Sequence, residues 1–220
     1  MCVTVPIYTS IIGNNDTLLE TISKLYFKPD DLIADVTYGK GVFWKKIDLT
    51  QYNFYPSDLI TCKETPYDFK KLPYEKNKFD SVVFDPPYMH TVGRPIVDGN
   101  YQNSNTTKNM YHTDIINLYY EGMLEAKRVL KSGGFMLVKC QDEIESSYQR
   151  WSHIDIYNIA TKLKLYGKDL FVLTRYSNPP IQYKQQHARK KHSYMWVFQK
   201  VEAKKFGLLK KKQVINTIIN

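Results

Sequence analysis

The segment with the most chemical content in the chain is VVFDPPY, residues 82–88. Its apolar run predicts a buried strand that carries Asp85 to its carboxyl end. Pro86 and Pro87 remove two backbone donors and stiffen the turn that follows. What remains is a rigid set of acceptors, the Asp85 carboxylate and neighbouring carbonyls, beside the flat ring of Tyr88. An exocyclic aromatic amine needs such surroundings to become a nucleophile. Its lone pair is delocalised into the ring. Two acceptors aimed at the N–H bonds draw the nitrogen toward tetrahedral geometry and free the lone pair. Tyr88 would stack on the base and hold it in plane. Asp85 reads as an acceptor that orients the amine rather than as a strong base. The plain alternative is a proline-rich turn after a buried strand, with an incidental tyrosine.

A second motif lies 50 residues earlier, at DVTYGKG, Asp35 to Gly41. A predicted strand runs into a turn with two glycines, Gly39 and Gly41. In an open α/β sheet, ligands bind at the carboxyl ends of strands. Glycines there let the backbone approach a ligand with no Cβ in the way. The dinucleotide pattern GxGxxG is not completed, because Trp44 stands at its third glycine. A pyrophosphate cofactor is therefore disfavoured and a smaller nucleoside ligand stays open. Asp58 follows a predicted second strand, 23 residues after Asp35. At such a strand end an acidic side chain can accept from both ribose hydroxyls.

These residues need a scaffold. Helical spacing of Leu18, Leu19, Ile22 and Leu25 predicts a helix over 17–27, capped by Asp16 or Thr17 and stopped at Pro29. Strands are predicted at 32–38, within 51–60, at 81–88 and at 135–142, with VFWKKI opening a helix after the glycine turn. Further helices are expected at 114–130, ended by KSGG with Gly133 as a left-handed cap, and at 153–165. KDLFVLTRY and HSYMWVFQK read as a final antiparallel pair. Strand–helix alternation of this kind argues for an α/β fold with a mainly parallel sheet.

Composition narrows the function. The chain has 220 residues, 43% apolar and 24% charged, with a net charge of +9. One domain of ordinary size is expected, and gross disorder or a coiled coil is excluded. No apolar run reaches the roughly 20 residues of a membrane span, so no membrane partner is expected. The three cysteines are scattered, which supports neither a disulfide framework nor a zinc ribbon. His187 and His192 lack acidic or cysteine partners nearby in sequence, so no metal is expected. A reduced cytoplasmic setting is the default. The charge is regional: residues 183–212 hold ten Lys/Arg and one Glu, and the rest is neutral. A concentrated basic region suits a polyanion, since each neutralised phosphate releases counterions.

Taken in this order, DVTYGKG, Asp58 and DPPY resemble the S-adenosylmethionine-dependent amino-methyltransferases that modify adenine N6 or cytosine N4 in DNA. LKSGG and the late QHARKKHSYMWVF stretch are similar to small DNA methylases of phages and prophages. The resemblance spans roughly residues 30–200. It implies a Rossmann-like, seven-stranded, mostly parallel sheet with helices on both faces and an antiparallel last strand. It implies a catalytic domain over 1–200 and a basic tail over 201–220. It implies that Asp35, Thr37, Gly39 and Gly41 hold the methionine part of S-adenosyl-L-methionine and that Asp58 takes the ribose. Asp68 and Phe69 would contact the cofactor adenine. Asp85, Pro86, Pro87 and Tyr88 would form the target-base pocket. DPPY is more often an adenine than a cytosine signature in this family. The residues themselves do not separate the two bases. Thr37-Tyr38 departs from the Pro-Phe often found in the family.

A base inside a duplex cannot reach such a pocket, so double-stranded DNA would be bound with its target flipped out. Two basic, aromatic loops would meet it: 89–113, with Arg94 and Lys108, and 175–192, with Arg175, Lys184, Arg189, Lys190 and Lys191. No separate recognition domain is visible. A short or relaxed target is expected, or help from a second copy or a partner recognition subunit. The resemblance implies a nucleoid-associated cytoplasmic location in a bacterial or phage-infected cell. The alternatives are an RNA methyltransferase acting on a guanine or adenine amine, and an inactive nucleic-acid-binding module on the same fold.

Overall fold

The structure is a computed structural model that describes residues 6–88, 111–176 and 185–213. A seven-stranded sheet runs in the order β1-β8-β9-β5-β4-β2-β3. Its strands are β1 (Ser10–Ile12), β2 (Leu32–Asp35), β3 (Asn53–Pro56), β4 (Phe79–Phe84), β5 (Leu130–Cys140), β8 (Leu165–Thr174) and β9 (His192–Lys200). All neighbours are parallel except β9, which is antiparallel to both β5 and β8. This is the expected α/β architecture. The edge strand β1 was not expected, because three residues are too short to show a period. A small hairpin, β6 (Glu143–Glu145) and β7 (Tyr148–Arg150), was also missed. Its turn residues Ser146 and Ser147 both have positive φ, where glycine or asparagine would have signalled the bend.

Helices cover both faces. On one face α1 (Asn15–Tyr26) lays Leu18, Leu19, Ile22 and Tyr26 against Ile33, Val83, Leu137, Leu173 and Val197. On the other, α2 (His112–Val129) and α3 (Ser152–Lys162) seat Tyr119, Met123, Ile156 and Ala160 on Val82, Phe84, Met136 and Val138. Each fully buried large side chain contributes roughly 1.5–3 kcal/mol, so the two clusters fix both layers. α2 begins inside the expected 89–113 loop, with the Asp114 carboxylate accepting from the Tyr111 N–H at 2.8 Å. A final helix, α4, spans Ala203–Gln213.

Two local expectations are corrected. VFWKKI does not open an α-helix: only 3-10 turns form, at Val42–Trp44 and Leu49–Gln51. KSGG does not cap α2. The chain turns extended at Leu130, and KSGG lies within β5 where the register with β4 shifts. Gly133 does have φ +86, but it serves this irregularity and not the helix end. No helix among the described residues is long and apolar enough to cross a membrane.

Candidate active site

Strand alternation builds a polar row at the carboxyl edge of the sheet. Ile33, Val83, Leu137 and Leu173 point into the core on the α1 face. Two residues further along each strand, period-2 geometry brings Asp35, Asp85, Lys139 and Arg175 to that same face. Charge effects link Asp85 to Asp35, to Lys139 and to Arg175. Asp35, Asp85 and Arg175 were expected from the sequence. Lys139 was missed, because a lysine in FMLVKC reads as the polar end of an apolar strand.

The glycine turn closes tightly on itself. Asp35 is buried. Its Oδ1 accepts from the Thr37 N–H at 3.0 Å and its Oδ2 from the Trp44 indole N–H at 2.6 Å. Burial pushes its carboxyl up to about 7, the neighbouring charges of Asp85 and Asp58 adding to burial and the two hydrogen bonds opposing it. Gly39 and Gly41 have φ of +55 and +66, which L side chains adopt only with strain. A Cβ on Gly41 would lie 2.5 Å from the Tyr38 hydroxyl, whereas one on Gly39 would meet only the Thr37 carbonyl at 3.9 Å. Gly39 thus leaves open backbone at the strand tip. Asp58 locks two loops together: Oδ2 accepts from the Gly39 N–H at 3.2 Å, and Oδ1 from the amides of Ile60 and Thr61 at 2.9 and 2.8 Å.

The proline tip is built differently. The Asp85 N–H donates to Thr37 Oγ1 at 2.7 Å, which ties the tip to the glycine turn. The residue is partly exposed, yet its Oδ1 is buried without a hydrogen-bond partner among the described residues. Burial pushes the Asp85 carboxyl up to about 6, held back by the positive charges of Lys139 and Arg175. Pro86 and Pro87 are buried. Tyr88 is only 4% exposed, and the Lys139 Nζ donates to its hydroxyl at 3.3 Å. Its ring therefore lies within the protein and not across an open mouth. Phe69 packs edge-on to Phe84 at 5.1 Å, directly beneath Asp85 in the chain. Asp68 is half-exposed and accepts from the Lys70 amide at 2.9 Å.

Of the basic residues expected to meet nucleic acid, Arg175 joins the polar row. Arg189 is exposed, and Lys190 and Lys191 are half-buried. The Lys190 Nζ donates to Gln149 Oε1 at 2.6 Å and lies 5.6 Å from the Trp151 ring centre. The His187 ring nitrogen Nε2 meets the Ser147 carbonyl at 2.9 Å. The hairpin β6–β7 and the segment before β9 thus form one surface. Arg94, Lys108 and Lys184 lie outside the described residues.

A mostly parallel sheet with glycines and acids at its carboxyl edge is the kind of site at which open α/β folds bind their ligands. The family model described as DNA methylase matches residues 79–218, more than half of the chain. The chain belongs to this N6/N4 DNA methylase family. No curated protein sequence matches it. Among solved structures it is similar to TrmN from Thermus thermophilus, with 13% identity and a TM-score of 0.54, covering 84% of this chain and 49% of that one. A Bacillus halodurans protein described as a candidate methyltransferase gives 14% identity and a TM-score of 0.53, covering 86% and 100%. A SAM-dependent methyltransferase from Methanosarcina mazei gives 11% identity and a TM-score of 0.49, covering 82% and 97%. At these identities the first two likenesses establish the fold alone.

Proposed function

We propose that the protein is an S-adenosylmethionine-dependent methyltransferase acting on the N6 amine of adenine in DNA, with the target base flipped into the DPPY site. The observation that carries this reading is Asp85 Oδ1, a buried acceptor with no partner among the described residues, at the end of a central strand. Burying such an atom costs free energy unless a donor arrives. An amine N–H is a donor of the right kind. Membership of the DNA methylase family supports the substrate class.

The cofactor's fit rests on the turn at β2. Open backbone at Gly39 and the carboxylates of Asp35 and Asp58 would hold its methionine and ribose ends, with Thr37 and Gly41 shaping the turn and Asp68 and Phe69 near its adenine. S-adenosylmethionine supplies a methyl group carried on a positively charged sulfur. The protein's part is to bind and orient. Asp85 accepts from the amine and draws its lone pair out of the ring. The nitrogen must also release a proton, and Asp85 would be an acceptor at hand for it. Positioned dipoles and charges of this kind commonly account for 10²–10³-fold in rate. Arg175, Arg189, Lys190 and Lys191 would contact phosphates and set register, with Arg94, Lys108 and Lys184 completing the two loops.

Transfer of labelled methyl groups to adenine-containing duplexes, cytosine-only duplexes and RNA tests the reading. Label in the first alone is expected, with N6-methyladenine found on nucleoside analysis. Label in RNA or on cytosine would replace the substrate. Absence of cofactor binding by calorimetry would leave a nucleic-acid-binding module.

A further inference from the structure

Lys139 is fully buried on β5, among the largest side chains to be so, and the proposed chemistry does not yet use it. A buried ammonium needs a countercharge or it gives up its proton. β4 and β5 are parallel with Phe84 opposite Val138, which sets Asp85 alongside Lys139. The Lys139 Nζ reaches the Tyr88 hydroxyl at 3.3 Å and lies 5.4 Å from the centre of its ring. The Lys139 carbonyl accepts from the Tyr119 hydroxyl at 2.7 Å, which pins the strand from the α2 side. Lys139 therefore hydrogen-bonds the tyrosine of the tip, and its charge acts on the acid from the neighbouring strand.

We infer that Lys139 is a positioning residue for methyl transfer, whose buried side chain sets a positive charge beside Asp85 and holds the buried Tyr88 hydroxyl behind it. The inference rests on the proposed function for its meaning, although the pairing itself is independent of activity. An ionised Asp85 offers both oxygens as acceptors; a protonated one loses an acceptor and turns a donor toward the incoming amine. Burial works against ionisation at Asp85, and Lys139 and Arg175 work for it. Asp35 faces the group from β2, its own carboxyl raised to about 7 by burial, and Tyr88 and Cys140 are neutral neighbours whose own ionisation burial suppresses. Lys139 is the enclosed base of the group, its ammonium pulled down by burial and held up by the charge of Asp85, and Arg175 is the exposed cation.

The experiment compares wild type with Lys139→Met, Lys139→Gln and Tyr88→Phe. The Asp85 carboxyl is titrated by carbon-13 NMR, assigned with Asp85→Asn, and methyl transfer is followed against pH. An opposite charge within about 4–6 Å moves a carboxyl by about 1–3 units. Both Lys139 variants should therefore raise the Asp85 midpoint by about one unit or more and move the acid limb of kcat with it. KM for the cofactor should stay in place. Tyr88→Phe keeps the ammonium and should leave the midpoint where it is. Should Lys139→Met fail to fold, Lys139→Gln carries the test, since it retains a donor for Tyr88 without the charge. An unmoved Asp85 midpoint in the Lys139 variants, or an equal shift in Tyr88→Phe, would overturn the inference. Wild type that titrates as described but methylates no nucleic acid would overturn the proposed function and leave the pairing intact.

Discussion

At the tip of β2 the Asp35 carboxylate accepts from Thr37 and from Trp44, and Asp58 accepts three amides. One strand over, at the tip of β4, Asp85 keeps Oδ1 without a partner among the described residues, with a buried lysine beside it. The first region spends its polar groups on its own shape. The second holds them in reserve. A cofactor that must be taken up in one orientation at every turnover calls for a turn already in its final form. A substrate that must be activated calls for acceptors still waiting for donors. The difference teaches where to look for chemistry: in the unsatisfied tip and not in the better connected turn.

The largest effect should come from the tip. Asp85→Ala removes the waiting acceptor and should lower methyl transfer by about 10³-fold while cofactor affinity, read by calorimetry, changes little. Asp85→Asn retains one carbonyl acceptor and should keep more activity than the alanine variant. Equal loss in both would mean that charge or proton acceptance, and not orientation, is what Asp85 contributes.

The turn should respond in the opposite sense. Trp44→Phe removes the indole N–H held at 2.6 Å by Asp35 and leaves a buried carboxylate oxygen short of a donor. Such a loss costs about 1–3 kcal/mol, or several degrees in Tm for a chain of this size. Cofactor affinity should weaken along with stability, and the rate at saturating cofactor should hardly move. A fall in saturated rate comparable to that of Asp85→Ala would erase the distinction between the regions.

Trp44 also marks where the sequence was hard to read. There it stood only as the residue that spoils a third glycine, and nothing in its position tells that its ring nitrogen returns nine residues to Asp35. The strands around DVTYGKG, DPPY and FMLVKC were legible because long apolar runs bounded by turns have few other readings. So were the cores of α1, α2 and α3, by their 3.6-residue period. β1 was too short for any period. The β6–β7 hairpin turns on two serines at positive φ, a conformation that residue type did not announce. Lys139 was hidden for a further reason. Its role depends on a neighbour 54 residues away, and an isolated lysine at a strand end carries no sign of which side it faces. Within the candidate site, the order of Asp35, Asp58 and Asp85 was visible; the hydrogen bonds that make one turn closed and one tip open were not.

In pH-dependent stability the two regions should behave alike, since Asp35 is raised to about 7 and Asp85 to about 6, and the tip can be tested by itself. The Asp85 carboxyl is raised from 3.8 to about 6 by burial. The native state therefore binds more protons than the unfolded chain between those two values, so the group's contribution to stability declines as pH rises through that window. Asp85→Asn removes this burden. Its Tm should exceed that of wild type at pH 8, by about 2–4 °C for each kcal/mol recovered, and the gain should vanish near pH 4. A gain that persists unchanged at pH 4 would assign it to packing and not to ionisation.

The smallest effect belongs to the basic rim, where two cations of similar position differ in their partners. Arg150 is committed to Glu145, at 2.9 and 2.7 Å, so its charge is already neutralised. Lys190 is held by the neutral Gln149 amide oxygen and keeps its full charge toward solvent. Each phosphate neutralised by a protein cation contributes about 0.9 to the slope of log affinity against log salt on duplex DNA. Lys190→Ala should therefore flatten that slope by about one and weaken binding evenly across sequences. Arg150→Ala should leave the slope unchanged, because the pair it breaks has no net charge to offer a phosphate. The measurement is a salt titration of duplex binding by fluorescence anisotropy. A slope lowered equally by both variants would mean that Glu145 releases Arg150 when DNA arrives, so that the rim, like the β4 tip, keeps part of its binding capacity hidden until its ligand is present.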